Sequence, residues 1–313
     1  MKAIMYHYVR PYNSEFPYFK NLNIEDFRKQ LDYFEQNYGF VDKQDFIKSF
    51  ETGEIPKGVV LTFDDGLKCH YDYVYRELSK RGLWGIFYVA TQPFIEGTFI
   101  DVHRVHVLLG RISAKEIYEH LMSLVIDEMI DKSREDEFNA LSYPNQQNNN
   151  YTLLVKRMIN YFITYDFREQ VINLLIEHFV PGVKTIFDNY YVSPEEIKEM
   201  NEGGMIIGSH TVNHPLMSRL SKEDQTHQII NSFNYLESLT GVNSNDRTFC
   251  YPHGGFHSFS DTTESILTQE GCLYSFNVEQ RDIEKNDVLN RPQALPRYDC
   301  NQFEHGQVRS VEN

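Results

Sequence analysis

Nowhere does this chain of 313 residues reach the roughly 18 consecutive apolar residues that a membrane-spanning helix requires, so no membrane span is expected. Basic residues are in short supply: Lys+Arg number 30 against 45 Asp+Glu, a net charge of -15. Such a surface lacks the basic face that binds nucleic acid or anionic lipid, and no nucleic-acid partner is expected. Cysteine is scarce too. The four (Cys69, Cys250, Cys272 and Cys300) show neither CxxC spacing nor a dense framework, which excludes a disulfide scaffold and fits reduced thiols. The N-terminal stretch "MKAIMYHYVRPYNSEF" has no apolar core of signal-peptide length, because His7 and Arg10 interrupt it. A cytoplasmic protein is the expectation.

What the chain does have is alternation of strand-like and helix-like segments. "KAIMYHYV" (2–9), "GVVLTF" (58–63), "GIFYVA" (85–90), "GMIIGSH" (204–210), "RTFCYPH" (247–253), "CLYSFNV" (272–278) and "ALPRY" (294–298) read as short strands. "NIEDFRKQLDYFEQNYG" (23–39) reads as an amphipathic helix capped by Asn23 and closed by Gly39, and helices are also expected over 71–82 and 222–241. The nearly all-apolar "GVVLTF" suits a strand buried on both faces of a parallel sheet. Repeated β-then-α units imply a parallel sheet, doubly wound or closed as a barrel.

Residues 97–190 break that rhythm. They read as helices, among them 113–130 and 152–163, around the polar run "NQQNNN" (145–150). We expect a single domain over 1–313 with 97–190 as a helical insertion.

Chemistry concentrates at strand ends. "LTFDDG" (61–66) places Asp64 and Asp65 side by side where a strand stops. Alone, Asp-Asp-Gly is an ordinary tight turn. "GSHTVNHP" (208–215) follows another strand and carries His210 and His214 four residues apart, a spacing that sets both imidazoles on one side of a turn. One Asp with two His makes a facial set that leaves coordination positions open on a divalent ion. A cation there would also keep the neighbouring carboxylate ionised and able to act as a base.

"LTFDDG", "SHTVNH" and "YPHGG", in that order on a βα framework, resemble the polysaccharide deacetylase family (carbohydrate esterase family four). The likeness runs over about 1–95 and 191–299 and omits the insertion. It implies a distorted parallel (β/α) barrel of about seven strands. It assigns Asp64 as general base and Asp65, His210 and His214 as ligands of a divalent metal, zinc or else cobalt, nickel or manganese. Tyr251, before Pro252, matches the position whose backbone N–H steadies the oxyanion.

Two positions depart from the family pattern. Cys250 stands where many members carry an arginine; members lacking it often have a late Leu-Pro-Arg, and "LPRYD" (295–299) matches, so Arg297 is expected to pair with Asp64. The late histidine that protonates the leaving amine has no match after Arg297, His305 lying in an irregular tail. His103 and His106 in "FIDVHRVHVLL" are the substitutes considered, His106 preferred, while His7 is a further histidine at a strand end. His70, His227 and His257 are expected at the surface. The implied reaction is hydrolysis of an N-acetyl or N-formyl amide on an amino sugar of a surface-polysaccharide or glycan precursor. A cyclic-amide hydrolase on the same fold, or a silent sugar-binding member, are the alternatives.

Overall fold

The computed structural model describes residues 1–131, 150–241 and 246–312. Six of the expected strands form, trimmed at their ends, and the seventh, expected over 294–298, forms only at Tyr298–Asp299 after a 3-10 turn at Pro292–Ala294. They are β1 (Lys2–Tyr6), β2 (Val59–Phe63), β3 (Ile86–Val89), β4 (Ile206–Ser209), β5 (Arg247–Cys250), β6 (Cys272–Phe276) and β7 (Tyr298–Asp299). Among the described residues they make one seven-stranded sheet in the order β6-β5-β4-β3-β2-β1-β7, with every pair parallel. Parallel neighbours need crossover segments, and the helices between strands supply them. The last segment curls the sheet toward closure. Leu295 bridges to Phe276 at the end of β6, and three residues later Tyr298 pairs with Ile4 of β1. This is the distorted (β/α) barrel that the sequence implied.

Side-chain alternation sorts the strands into two faces. Ala3, Val60, Ile86, Tyr88, Cys250, Tyr274, Phe276 and Leu295 share one buried cluster, the inside of the curl. Ile4, Tyr6, Leu61, Phe63, Phe87, Val89 and Ile207 face the other way, onto helices Ile24–Asn37 and Pro194–Glu202. Gly208 is required on the inner face, because a Cβ there would sit 2.5 Å from the Tyr88 ring. Parity then directs Thr62 and Asp64 with Val60, Arg297 with Leu295, His7 with Ala3, and His210 with Gly208. Functional side chains from distant parts of the sequence are thus aimed at one interior.

Local signals explain the helices. Asn23 accepts from the Glu25 amide as N-cap, and Gly39 lies just past the helix end with φ 70°. Ser193 and Glu196 form a capping box, with Pro194 in the first turn. The helix expected over 71–82 begins instead with a π-helical turn, His70–Tyr75, before Arg76–Arg81.

Contacts divide the chain into two units. The first is Met1–Pro11, Asn21–Thr98 and Asn189–Val308; the second is Tyr12–Lys20, Phe99–Asp188 and Arg309–Asn313. The second is helical. Its segment 113–130 ends as a helix at Leu124 and resumes as a 3-10 turn, and 152–163 turns π-helical from Met158. Residues 145–149 of the polar run lie outside the described residues. No helix among the described residues is long and apolar enough to cross a membrane.

Candidate metal and catalytic centre

Asp64 is the first residue past β2. Its amide still donates to the Tyr6 carbonyl, at 3.0 Å, so strand parity holds and its side chain enters the interior. It is 2% exposed, and Arg297, 0% exposed, grips both its oxygens: Nη1 to Oδ1 at 2.8 Å and Nη2 to Oδ2 at 2.9 Å. The guanidinium also donates to Thr62 Oγ1 at 3.0 Å, to the Asn277 carbonyl at 3.1 Å and to Cys250 Sγ at 2.9 Å. These five contacts match the five N–H donors of arginine. Burial alone would raise the Asp64 pKa; the Arg297 charge and its hydrogen bonds outweigh that and hold the carboxyl below its ordinary value. The pairing expected of Arg297 is present. It works because positions 250 and 297 both face inward at the same carboxylate, so an arginine from the closing segment fills the space beside a small Cys250.

Asp65 follows with φ 87°, which turns it out of strand geometry. Its Oδ1 lies 3.4 Å from His210 Nε2 and 3.6 Å from His214 Nε2. Those separations exceed a charge-assisted hydrogen bond. They equal the ligand–ligand edge, about 3.3–3.6 Å, of a tetrahedral ion held at 2.0–2.2 Å. The donor set therefore fits a divalent cation. His210 is oriented as a ligand, because its Nδ1–H donates to the Cys250 carbonyl at 2.8 Å and turns Nε2 toward Asp65. His214 takes φ 58°, and its amide is tied to Thr211 Oγ1 at 2.9 Å. A second cluster, Asp64, His210 and Cys250, also has metal-binding donors, but Asp64 is already taken up by Arg297 there.

Backbone strain marks the same loops. Five non-glycine residues among those described have positive φ, and Asp65, Thr211, His214 and His253 are four of them. A β-branched threonine at 69° is costly and persists only where its surroundings dictate it.

Tyr251 does not present an oxyanion donor. Its amide donates to the Phe276 carbonyl at 3.1 Å, continuing the β5–β6 ladder. Its ring faces outward, stacked on Phe259 at 3.8 Å, and its hydroxyl donates to the Gln293 carbonyl. Pro252 has no N–H, so the first amide beyond the ladder in this turn is that of His253, whose ring centroid is 4.7 Å from that of His214.

The histidines sort differently from expectation. His70 is buried rather than at the surface: its Nε2 donates to the His7 carbonyl at 2.7 Å, and burial lowers its pKa to about 4. It fastens the end of β1 to the loop carrying the two aspartates. His7 stands opposite Asp64, one register step beyond the Tyr6–Phe63 pair, half-buried and close enough for its charge to lower the Asp64 pKa. Its inward parity was the signal that could have ranked it first. His227 is exposed, and His257 is half-buried. His106 sits half-buried on the helix Asp101–Arg111 of the second unit, its ring 5.9 Å from that of the buried His103.

Residues 163–274 match the polysaccharide deacetylase family. That span contains His210, His214 and the 251–255 turn and stops short of Asp64 and Asp65 at one end and Arg297 at the other. No curated protein sequence matches the chain. Among solved structures, the chain is similar to the Streptococcus pyogenes deacetylase PplD in complex with acetate, at 18% identity and TM-score 0.58, over 96% of this chain and 91% of that one. It is similar to IcaB from Ammonifex degensii at 17% and 0.55, over 95% and 89%. It is also similar to the polysaccharide deacetylase BC0361 from Bacillus cereus at 15% and 0.53, over 95% and 64%. At such identities the shared property is the fold. The resemblance read from the sequence is borne out.

Proposed function

We propose that this chain, matched in part to the polysaccharide deacetylases, is a divalent-metal-dependent N-deacetylase of an amino sugar in a glycan. The observation that carries the reading is one juxtaposition. A buried carboxylate kept ionised by a five-contact arginine lies next in sequence to an Asp–His–His set spaced for one cation. A sugar-binding module has no use for a base beside such a set.

Asp65, His210 and His214 would hold the ion, which when bound polarises an amide carbonyl and lowers the pKa of water. Asp64 takes the proton of the attacking water. Oδ2 accepts from Arg297 and from the Cys250 thiol at 3.5 Å, while Oδ1 keeps a second lone pair beyond the one Arg297 uses, so the clamp orients the base without blocking it. The His253 amide, in place of that of Tyr251, faces charge developing on the carbonyl oxygen. The amine then needs a proton to leave. His7 is the donor favoured by its place opposite Asp64, and His106 is the donor favoured by sequence order; an imidazole suits either role near neutral pH.

Zinc is the ion we assign, with cobalt, nickel or manganese as replacements. The substrate class is an N-acetylated or N-formylated amino sugar of a surface polysaccharide or its precursor. The test is acetate release from N-acetylglucosamine oligomers by metal-replete protein, compared with Asp64→Asn. Stoichiometric acetate that disappears in the variant is the expected result. Turnover of cyclic amides without any acetate release would replace this reading with the cyclic-amide one.

A further inference from the structure

Between His210 and His214 the chain has left β4 and no ladder dictates its path. Thr211 and His214 both lie in the left-handed region, and such a turn keeps its shape only where its surroundings impose it. The backbone hydrogen bonds show what does so. Four consecutive amides, Thr211 to His214, all donate to side-chain oxygens. Thr211 donates to Ser209 Oγ at 3.2 Å and His214 to Thr211 Oγ1. The two between them, Val212 and Asn213, converge on Gln228 Oε1 at 3.0 and 3.2 Å. On the other side of the turn, the Thr211 and Val212 carbonyls accept from the Thr91 and Gln92 amides, just past β3, at 3.2 and 2.8 Å.

Serine and threonine hydroxyls within the turn move with it. Gln228 belongs to another element, the helix Lys222–Thr240, and so anchors the turn from outside. That helix buries Gln225, Gln228 and Ser232 beside Ile229, Phe233 and Leu236. Polar side chains on a packed face are costly unless they are hydrogen-bonded, so the destination of each bond says what the residue is for. Gln225 accepts from the Thr263 hydroxyl at 2.7 Å and donates to the Leu220 carbonyl at 3.0 Å, away from the histidines. Gln228 and Ser232, four residues apart and so on one side of the helix, both reach the ligand turn. Ser232 Oγ shares a hydrogen bond with Ser209 Oγ at 2.5 Å.

We infer that Gln228 is a positioning residue for the metal centre: by bridging the Val212 and Asn213 amides it holds the turn in the shape that sets His210 and His214 at ligand spacing. The inference rests on the reading of Asp65, His210 and His214 as a ligand set. Gln228 touches neither histidine ring among the hydrogen bonds above; it acts through the backbone between them. Without its oxygen the Val212 amide is a buried donor with no acceptor, and the turn relieves that only by rotating. Rotation about Thr211 to Asn213 carries His214 away from His210, because His214 follows directly and its own amide is tied to Thr211.

The test is zinc affinity, measured by competition with a chelator for wild type, Gln228→Met, Gln228→Glu and Gln225→Met. Gln228→Met should weaken zinc binding by about 10- to 100-fold, the range usual for groups that orient metal ligands from outside. Gln228→Glu still presents an acceptor oxygen at the same reach and should restore the affinity. Gln225→Met is the control for a lesion in the same helix: it should lower the melting midpoint of the metal-free protein and leave zinc affinity at the wild-type value. Should Gln228→Met not fold, Gln228→Asn, one methylene shorter, carries the same comparison. Wild type that binds no zinc overturns the ligand set and this inference with it. Wild type that binds zinc no more tightly than Gln228→Met, or equal weakening in Gln228→Met and Gln225→Met, overturns the inference alone and leaves the ligands in place.

Discussion

Removing the Arg297 guanidinium should reverse the pH dependence of stability in this protein. In the wild type Asp64 has a depressed folded-state pKa, so its contribution is present above the unfolded value of about 3.9 and is lost only as pH falls through the folded value. Arg297→Met removes the main countercharge from a carboxylate that is 2% exposed. Burial then governs, and the folded pKa rises above the unfolded one. Buried carboxyls shift by up to about 3 units or more, and at about 1.4 kcal/mol per unit the variant loses on the order of 3–4 kcal/mol between pH 4 and 7. That range agrees with the roughly 3–5 kcal/mol cost of breaking a buried pair by removing one partner. Denaturant melts across this pH range would show the variant weakening as pH rises, whereas the wild type holds or gains. The acid limb of kcat/KM should move upward with it. Arg297→Lys keeps the charge with fewer donors and should fall between the two, which keeps the test available if the methionine variant does not fold. A variant with wild-type pH dependence in both stability and rate would refute the assignment of Arg297 as the group that keeps Asp64 ionised.

His210→Ala should bring bound metal from about one equivalent to near none by elemental analysis, and activity with it; full occupancy would remove His210 from the ligand set. Asp64→Asn should retain metal and lose about two to four orders of magnitude in kcat. Although the swap is nearly isosteric, it strands the buried Arg297 cation, so its melting midpoint should drop as well, a cost that shape alone does not suggest. His7→Ala and His106→Ala, assayed on the amide and on an activated aryl acetate, identify the proton donor: the correct one slows the amide selectively, and equal losses on both substrates rule a residue out. Chelation of the wild type should lower the melting midpoint and return it on zinc addition, by about 2.7 kcal/mol when free zinc is a hundredfold above Kd; identical melts with and without zinc would contradict a metal bound to the folded state.

Local periodicity carried much of the fold. Seven short apolar or aromatic runs separated by helical patterns were readable because alternation and helix caps are properties of neighbouring residues. The Asp-Asp-Gly and His-x-x-x-His spacings were legible for the same reason: each is one strand end followed by one turn. What joins Asp64 to Arg297 is different in kind. They are 233 residues apart, and they meet because the closing segment bridges β6 at Leu295 and pairs with β1 at Tyr298. Spacing in the chain cannot report which strands become neighbours. The same limit hid His70, whose burial depends on Phe63 and Phe87 lying against it, and set Tyr251 in the wrong role, because its amide is spent on a ladder with β6. His7 shows the boundary most plainly. Its position after β1 is written in the sequence, but only the parallel register with β2 sets it across from the base. Strand pairing and barrel closure are decided by burial summed over the whole sheet, and that sum exists only once the chain has folded.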